Sequence, residues 1–292
     1  SMTVKSQGQK RRVLLYSPKV KRIRRAKPLI LVMHGGHGNA DKARTNTSMA
    51  FEDLADENRF FVAYPEAVQG SEGSHWNDGR DHYEHVEGVN DVAYILKVIR
   101  KLTEKYKAID PDRVFVAGAS NGGMMVQRLA CETNGEIQAF AAVIAGMPTA
   151  LSRRCQPRLR QSILLMPGTE DPLMPFDSEF VHNLRGQPVL GERLTMPDTF
   201  KFWKRHLKCG IFPADVTVWP EVDWNDESSV TSHYFDCDEG SELHIYRIEK
   251  GGHFWPGISS PPGPLAKSLL GNLNKDINSA EIIYKFFVDQ VN

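Results

Sequence analysis

Gly118-Ala119-Ser120-Asn121-Gly122 places a serine between two glycines at the spacing G-x-S-x-G. A serine hydroxyl is a weak nucleophile at neutral pH and attacks a carbonyl only when a base removes its proton. The bare pattern is common, so its setting decides its meaning. The run Arg113-Val114-Phe115-Val116-Ala117 enters it as a strand, and a helix beginning at Gly123 leaves it. A strand, a sharp turn and a helix are what a nucleophile elbow requires, and the neighbours two residues either side of the serine must be small. The chemistry implied is acyl transfer through a covalent intermediate on Ser120.

Such a serine needs an acid and a histidine, in the chain order serine, acid, histidine. The strand Ile163 to Met166 ends in Pro167-Gly168-Thr169-Glu170-Asp171-Pro172. Asp171 stands where the acid is expected, with Glu170 as its competitor. His253 follows the strand Glu242 to Ile248 through Lys250-Gly251-Gly252, glycines that let a bent loop present the imidazole. Of the other histidines, His244 lies inside that strand and reads as a sheet-face residue, His206 falls on a helix, and His182 and His233 lack such a context.

An oxyanion needs two backbone N–H groups. Asn121, the residue after the nucleophile, is expected to supply one. The other is expected from His34-Gly35-Gly36-His37-Gly38-Asn39, which follows the first buried strand; Gly36 is the chosen donor and His37 the runner-up. His37, Trp76 and Trp255 are candidates for contact with substrate, with Phe254 beside them. For the tryptophans, plain core packing is the competing role. A rival cluster, His75, Asp78, Asp81, His82, Glu84, His85 and Glu87, lies in one polar stretch, but no H-E-x-x-H spacing is present and its glycines and aspartates suit an irregular loop at the substrate rim better than a metal site. Neither a metal nor a cofactor is expected.

These residues need a scaffold that brings loops together at one end of a sheet. Continuous apolar runs at Leu29 to Met33, Phe60 to Tyr64, Arg113 to Ala117, Ala141 to Ile144 and Ile163 to Met166 suit strands buried on both faces. Helical patterns alternate with them: Asp91 to Tyr106 aligns Val92, Ile95, Val98, Ile99 and Leu102, and Gly123 to Cys131 forms another. The expected class is α/β, with a mostly parallel central sheet and helices on both faces. Further on, Pro197 to Leu207 reads as a helix, Ser229 to Phe235 and Glu242 to Ile248 as a hairpin, and Ser279 to Val291 as a final helix capped by Asn278 or Ser279. One domain over residues 1–292 is expected, with a cap or insertion around 172–230.

The chain has 292 residues, 41% hydrophobic and 25% charged, with formal net charge zero. No apolar run of about 18 residues suggests a transmembrane helix, and the missing basic surplus argues against nucleic acid as a partner. Nine basic side chains between Lys10 and Lys27 surround Val13-Leu14-Leu15-Tyr16; they read as the charged face of an antiparallel edge hairpin rather than as an anion-binding patch. The chain opens on Ser1-Met2 and runs directly into polar sequence, which reads as a cloning remnant in place of a natural leader. Cys131, Cys155, Cys209 and Cys237 allow two disulfides in three pairings, or four free thiols.

Taken together, His34-Gly35-Gly36, Trp76-Asn77-Asp78-Gly79-Arg80, Gly118-Ala119-Ser120-Asn121-Gly122-Gly123-Met124-Met125, Gly168-Thr169-Glu170-Asp171-Pro172 and Gly251-Gly252-His253-Phe254-Trp255-Pro256-Gly257 resemble the polyhydroxybutyrate depolymerase-like and feruloyl-esterase-like α/β-hydrolases. The resemblance spans about residues 28 to 257. It implies the α/β-hydrolase fold and Ser120, Asp171 and His253 as a triad acting on feruloyl, acetyl or hydroxyalkanoate esters, small or polymeric. It also implies a secreted or periplasmic protein with Cys209 paired to Cys237 and Cys131 to Cys155. Relatives often carry cysteine where this chain has His75. A serine peptidase of the same fold and a non-catalytic polymer-binding relative are the alternatives.

Overall fold

The computed structural model describes every residue except 21, 22, 24, 72, 81–83, 157–160, 260–262, 291 and 292, and the side chains of Glu84 and Leu190. Three of the basic residues near the start, and Asp81 and His82 of the rival cluster, therefore lie outside the described residues.

The strands and helices follow in chain order. The first part holds β1 (Met2–Ser6), β2 (Gln9–Tyr16), β3 (Lys27–Met33), α1 (Ala40–Asn46), α2 (Ala50–Asn58), β4 (Phe61–Pro65), β5 (Val68–Gly70) and β6 (Gly73–His75). The middle holds α3 (Asp91–Lys105), β7 (Ile109–Ala119), α4 (Asn121–Glu132), β8 (Ala139–Val143), α5 (Thr149–Ser152), β9 (Ser162–Met166), β10 (Phe180–His182), β11 (Pro188–Glu192) and α6 (Met196–His206). The last part holds β12 (Asp215–Val218), β13 (Ser229–Asp236), β14 (Glu242–Glu249), α7 (Pro264–Leu270) and α8 (Ser279–Asp289).

Ten strands form one sheet in the order β1-β2-β4-β3-β7-β8-β9-β14-β13-β12. The six central strands, β4 to β14 in that order, run parallel, and antiparallel strands finish both ends. Alternation along each central strand divides its side chains between two cores. Leu29, Leu31, Val114, Val116, Ile163 and Leu165 pack with α3, α4 and α6. Ile30, Val32, Phe115, Ala117, Leu164 and Met166 pack with α1, α2 and α8. This double burial is why the strands read as unbroken apolar runs.

Local signals set the helix starts. Asn39, Asn90 and Thr195 cap α1, α3 and α6 through their side chains, and Asn278 caps α8 by accepting from the Ala280 and Glu281 N–H groups. The expected elements form, with boundaries moved by a few residues.

The basic edge hairpin needs one correction. β1 is the sheet's terminal strand, whereas β2 lies between β1 and β4. Arg11 on β2 is buried, ion-paired to Asp91, with its guanidinium 3.4 Å from the Tyr94 ring centroid. Its long stem and planar head let it cross from the sheet to α3 and find a partner there.

Cys131 is bonded to Cys155, and Cys209 to Cys237. The first joins the end of α4 to the segment after α5; the second joins the segment after α6 to the end of β13. No helix among the described residues is long and apolar enough to cross a membrane.

Candidate active site

β7 delivers Ser120 to the carboxyl end of the sheet, and α4 begins at the next residue. Ser120 has φ 57° and ψ −127°, a conformation that costs a side-chain-bearing residue on the order of 1–3 kcal/mol. Flanking hydrogen bonds hold it: Ser120 N–H donates to Val143 O at 3.0 Å, and Ser120 O accepts from Met124 N–H at 2.9 Å. Gly122 makes the tight turn feasible. A Cβ there would lie 2.4 Å from His34 O and 2.7 Å from Met33 O.

The acid and the imidazole meet across 82 residues of sequence. His253 Nδ1 lies 2.7 Å from Asp171 Oδ2. The other carboxylate oxygen, Oδ1, accepts from the Leu173 and Met174 N–H groups, both at 2.8 Å. Asp171 is 2% exposed, whereas its competitor Glu170 is exposed. The Nδ1 contact leaves His253 Nε2 as the nitrogen available to a substrate or to Ser120. The loop holding the imidazole is pinned by His253 N–H donating to Leu270 O and Gly252 N–H donating to Asn272 O.

In the glycine loop after β3, the two candidate oxyanion donors differ in what surrounds them. The His37 N–H already donates to Ser74 O at 2.8 Å. Gly36 packs so closely that a Cβ would lie 3.0 Å from the His75 ring and 3.9 Å from Asn121 Cβ, placing its backbone beside that of Asn121. The loop hangs on His34. Burial pushes His34 down to about 4, so its ring is neutral at ordinary pH. Nε2 accepts from Ala67 N–H at 3.0 Å, which leaves the proton on Nδ1, 2.7 Å from Gly35 O.

Trp76 departs from its expected role. It is fully buried and is absent from the wall of the cleft. Its indole N–H donates to His34 O at 2.9 Å, and its backbone exchanges hydrogen bonds with the Asn121 side chain, at 2.8 and 3.1 Å. Asn121 Nδ2 also donates to Asp78 Oδ2, and Asp78 is ion-paired to Arg80. Trp76 thus ties the glycine loop to Asn121 from within the core: its ring fits there against Tyr94, and its indole N–H finds a backbone acceptor. Of the described histidines of the rival cluster, His75 reaches the cleft wall. His75 packs edge-on against His37 with centroids 4.5 Å apart, and 5.3 Å from His85.

Ser120, His253, Gly36, His37 and Asn121 all line one cleft of about 1070 Å³. Trp255 also reaches the cleft wall, with most of its ring buried against Phe51. The opposite wall is one that residue types did not single out: Val181, Leu184 and Val189 of the β10–β11 hairpin, and Ala266 and Leu270 of α7. Arg193, at the foot of that hairpin, is fully buried; it donates to Leu194 O and to Pro175 O, tying the hairpin to the loop that follows Asp171. The sequence marked 172–230 as a cap or insertion but not which part of it would reach the cleft.

The prolyl oligopeptidase family matches residues 54–156, a segment holding the elbow but neither Asp171 nor His253. The chain is 26% identical over 277 residues to a protein of Nocardia uniformis subsp. tsuyamanensis named "Putative esterase NocK", covering 93% of this chain and 77% of that protein. It is 25% identical over 233 residues to feruloyl esterase B of Piromyces equi, covering 78% of this chain and 40% of that protein. Among solved structures, an S-formylglutathione hydrolase from Agrobacterium tumefaciens superposes with TM-score 0.61 at 12% identity, over all of this chain and 94% of that one. The chain has the α/β-hydrolase fold.

Proposed function

We propose that this chain is a serine carboxylic ester hydrolase acting through an acyl-enzyme on Ser120. The observation that carries the reading is the buried Asp171–His253 pair opening onto the cleft that holds Ser120 in its elbow. In the mechanism, His253 Nε2 takes the Ser120 proton as the hydroxyl attacks the ester carbonyl. Asp171 keeps the imidazole in the required tautomer and stabilises the imidazolium. The Gly36 and Asn121 N–H groups receive the oxyanion. The alcohol leaves with the proton from His253, water enters, and the same groups release the acid.

Feruloyl, acetyl and hydroxyalkanoate esters are the substrate classes of the reading, in keeping with the names of similar proteins, which include an acetylxylan esterase and a poly(3-hydroxyalkanoate) depolymerase. The β10–β11 hairpin acts as a cap on a single α/β-hydrolase domain, and Trp255 and His37 contact the substrate. Two disulfides suit an oxidising compartment, so the protein acts outside the cytoplasm.

Purified protein should hydrolyse short p-nitrophenyl esters, and a fluorophosphonate probe should label Ser120. Ser120→Ala should lose both while keeping the wild-type melting transition. Full activity in that variant would overturn the assignment, and turnover of amides without ester preference would favour a peptidase.

A further inference from the structure

β12 ends the sheet, and among the described residues no strand pairs with its outer side. Around it the surface is unusually apolar. Among the described residues ten large hydrophobic side chains are exposed, and six of them, Ile211, Phe212, Val216, Val218, Val222 and Trp224, fall within one short segment. Three of these, Ile211, Phe212 and Trp224, are about 80% exposed. Monomers rarely leave so large an apolar patch beside an open strand edge. Residues 209–224 also hold no lysine or arginine, the usual guard against edge pairing, whereas the opposite terminal strand carries Lys5.

We infer that this edge is the interface of a two-fold homodimer in which β12 pairs antiparallel with β12 of a second copy. The backbone permits it. Trp219 N–H donates inward to Val230 O, so by alternation Thr217 and Asp215 also turn their backbone groups toward β13, and Val216 and Val218 present theirs to the open edge. A dyad through Thr217 then sets Val216 against Val218 of the second copy in both directions, as hydrogen-bonded pairs. Thr217 faces its own counterpart as the closer, non-hydrogen-bonded pair. This register joins apolar to apolar and keeps the two Asp215 carboxylates apart. The interface is self-complementary, as a two-fold requires. Scaled by their exposure, the six side chains offer roughly 800 Å² per copy, the area a standard stable interface buries on each partner.

The test is sedimentation and light scattering on the intact protein, from micromolar to sub-millimolar concentration. Wild type should be a dimer, and Val218→Lys should be a monomer with unchanged ester turnover, because Val218 lies outside the cleft. The register has its own readout. Cα atoms of a non-hydrogen-bonded pair lie about 4.5 Å apart, within disulfide range. All four native cysteines are already bonded, so Thr217→Cys should form a cross-linked dimer on mild oxidation, visible on a non-reducing gel. A wild type that stays monomeric throughout overturns the inference, including one that adsorbs to polyester particles through this patch. So does a dimer that survives Val218→Lys and leaves Thr217→Cys uncross-linked.

Discussion

His34 should make the protein acid-sensitive in a way one substitution can isolate. Its ring is buried and held neutral, accepting from Ala67 N–H while donating to Gly35 O. Burial lowers its pKa from 6.5 to about 4. Folded-state depression of a basic group means that the unfolded chain binds the proton first as pH falls. Stability from this residue is therefore fully present above pH 6.5 and drains away between 6.5 and 4. Relative to pH 7, linkage gives a loss of about 1 kcal/mol at pH 5.5 and about 3 kcal/mol at pH 4. Urea unfolding at these three pH values measures it. Carboxylates also titrate in this range, so the comparison is with His34→Asn, which keeps an N–H near the Nδ1 position but cannot gain a proton. The variant should be less stable at pH 7 and show a shallower fall toward pH 4, by about 3 kcal/mol. Parallel curves for the two proteins would refute the account of His34 as a neutral post under the oxyanion loop.

Asp171→Asn should lower kcat by about 10⁴, the size seen when a triad acid loses its charge, while Glu170→Gln, on an exposed side chain, should change it little; steady-state kinetics on a p-nitrophenyl ester separates them. Gly36→Ala puts a Cβ 3.0 Å from the buried His75 ring, so either the ring or the loop must give. Loss of one oxyanion donor typically costs about 10² to 10³ in kcat, and KM should stay close to wild type. Replacing Cys131 and Cys155 together by serine opens a loop spanning a sequence separation of 24 and should cost about 3 kcal/mol in denaturant unfolding.

The strands were legible because double burial leaves a direct mark, a run such as Leu29 to Met33 with no polar interruption. The elbow was legible because its requirements are local: a strand, a strained serine and small flanking residues within five positions. Trp76 was misread for the opposite reason. Its loop is polar, and nothing within it shows which side faces the cleft; that depends on His34 and Tyr94, 42 and 18 residues away. Arg11 was misread in the same way, since its partner Asp91 lies 80 residues along the chain.

Residue order and local spacing thus determined the fold class and nominated Ser120, with its proposed partners in order. The tertiary structure supplied the contacts that separate each favoured candidate from its neighbour. Asp171 rather than Glu170 turns inward to His253, and the Leu173 and Met174 amides hold it there. Ser74 O already takes the His37 N–H, which favours Gly36 as the proposed oxyanion donor. In both cases the deciding contact joins segments far apart in sequence, and a hydrogen bond made there removes one candidate from the chemistry.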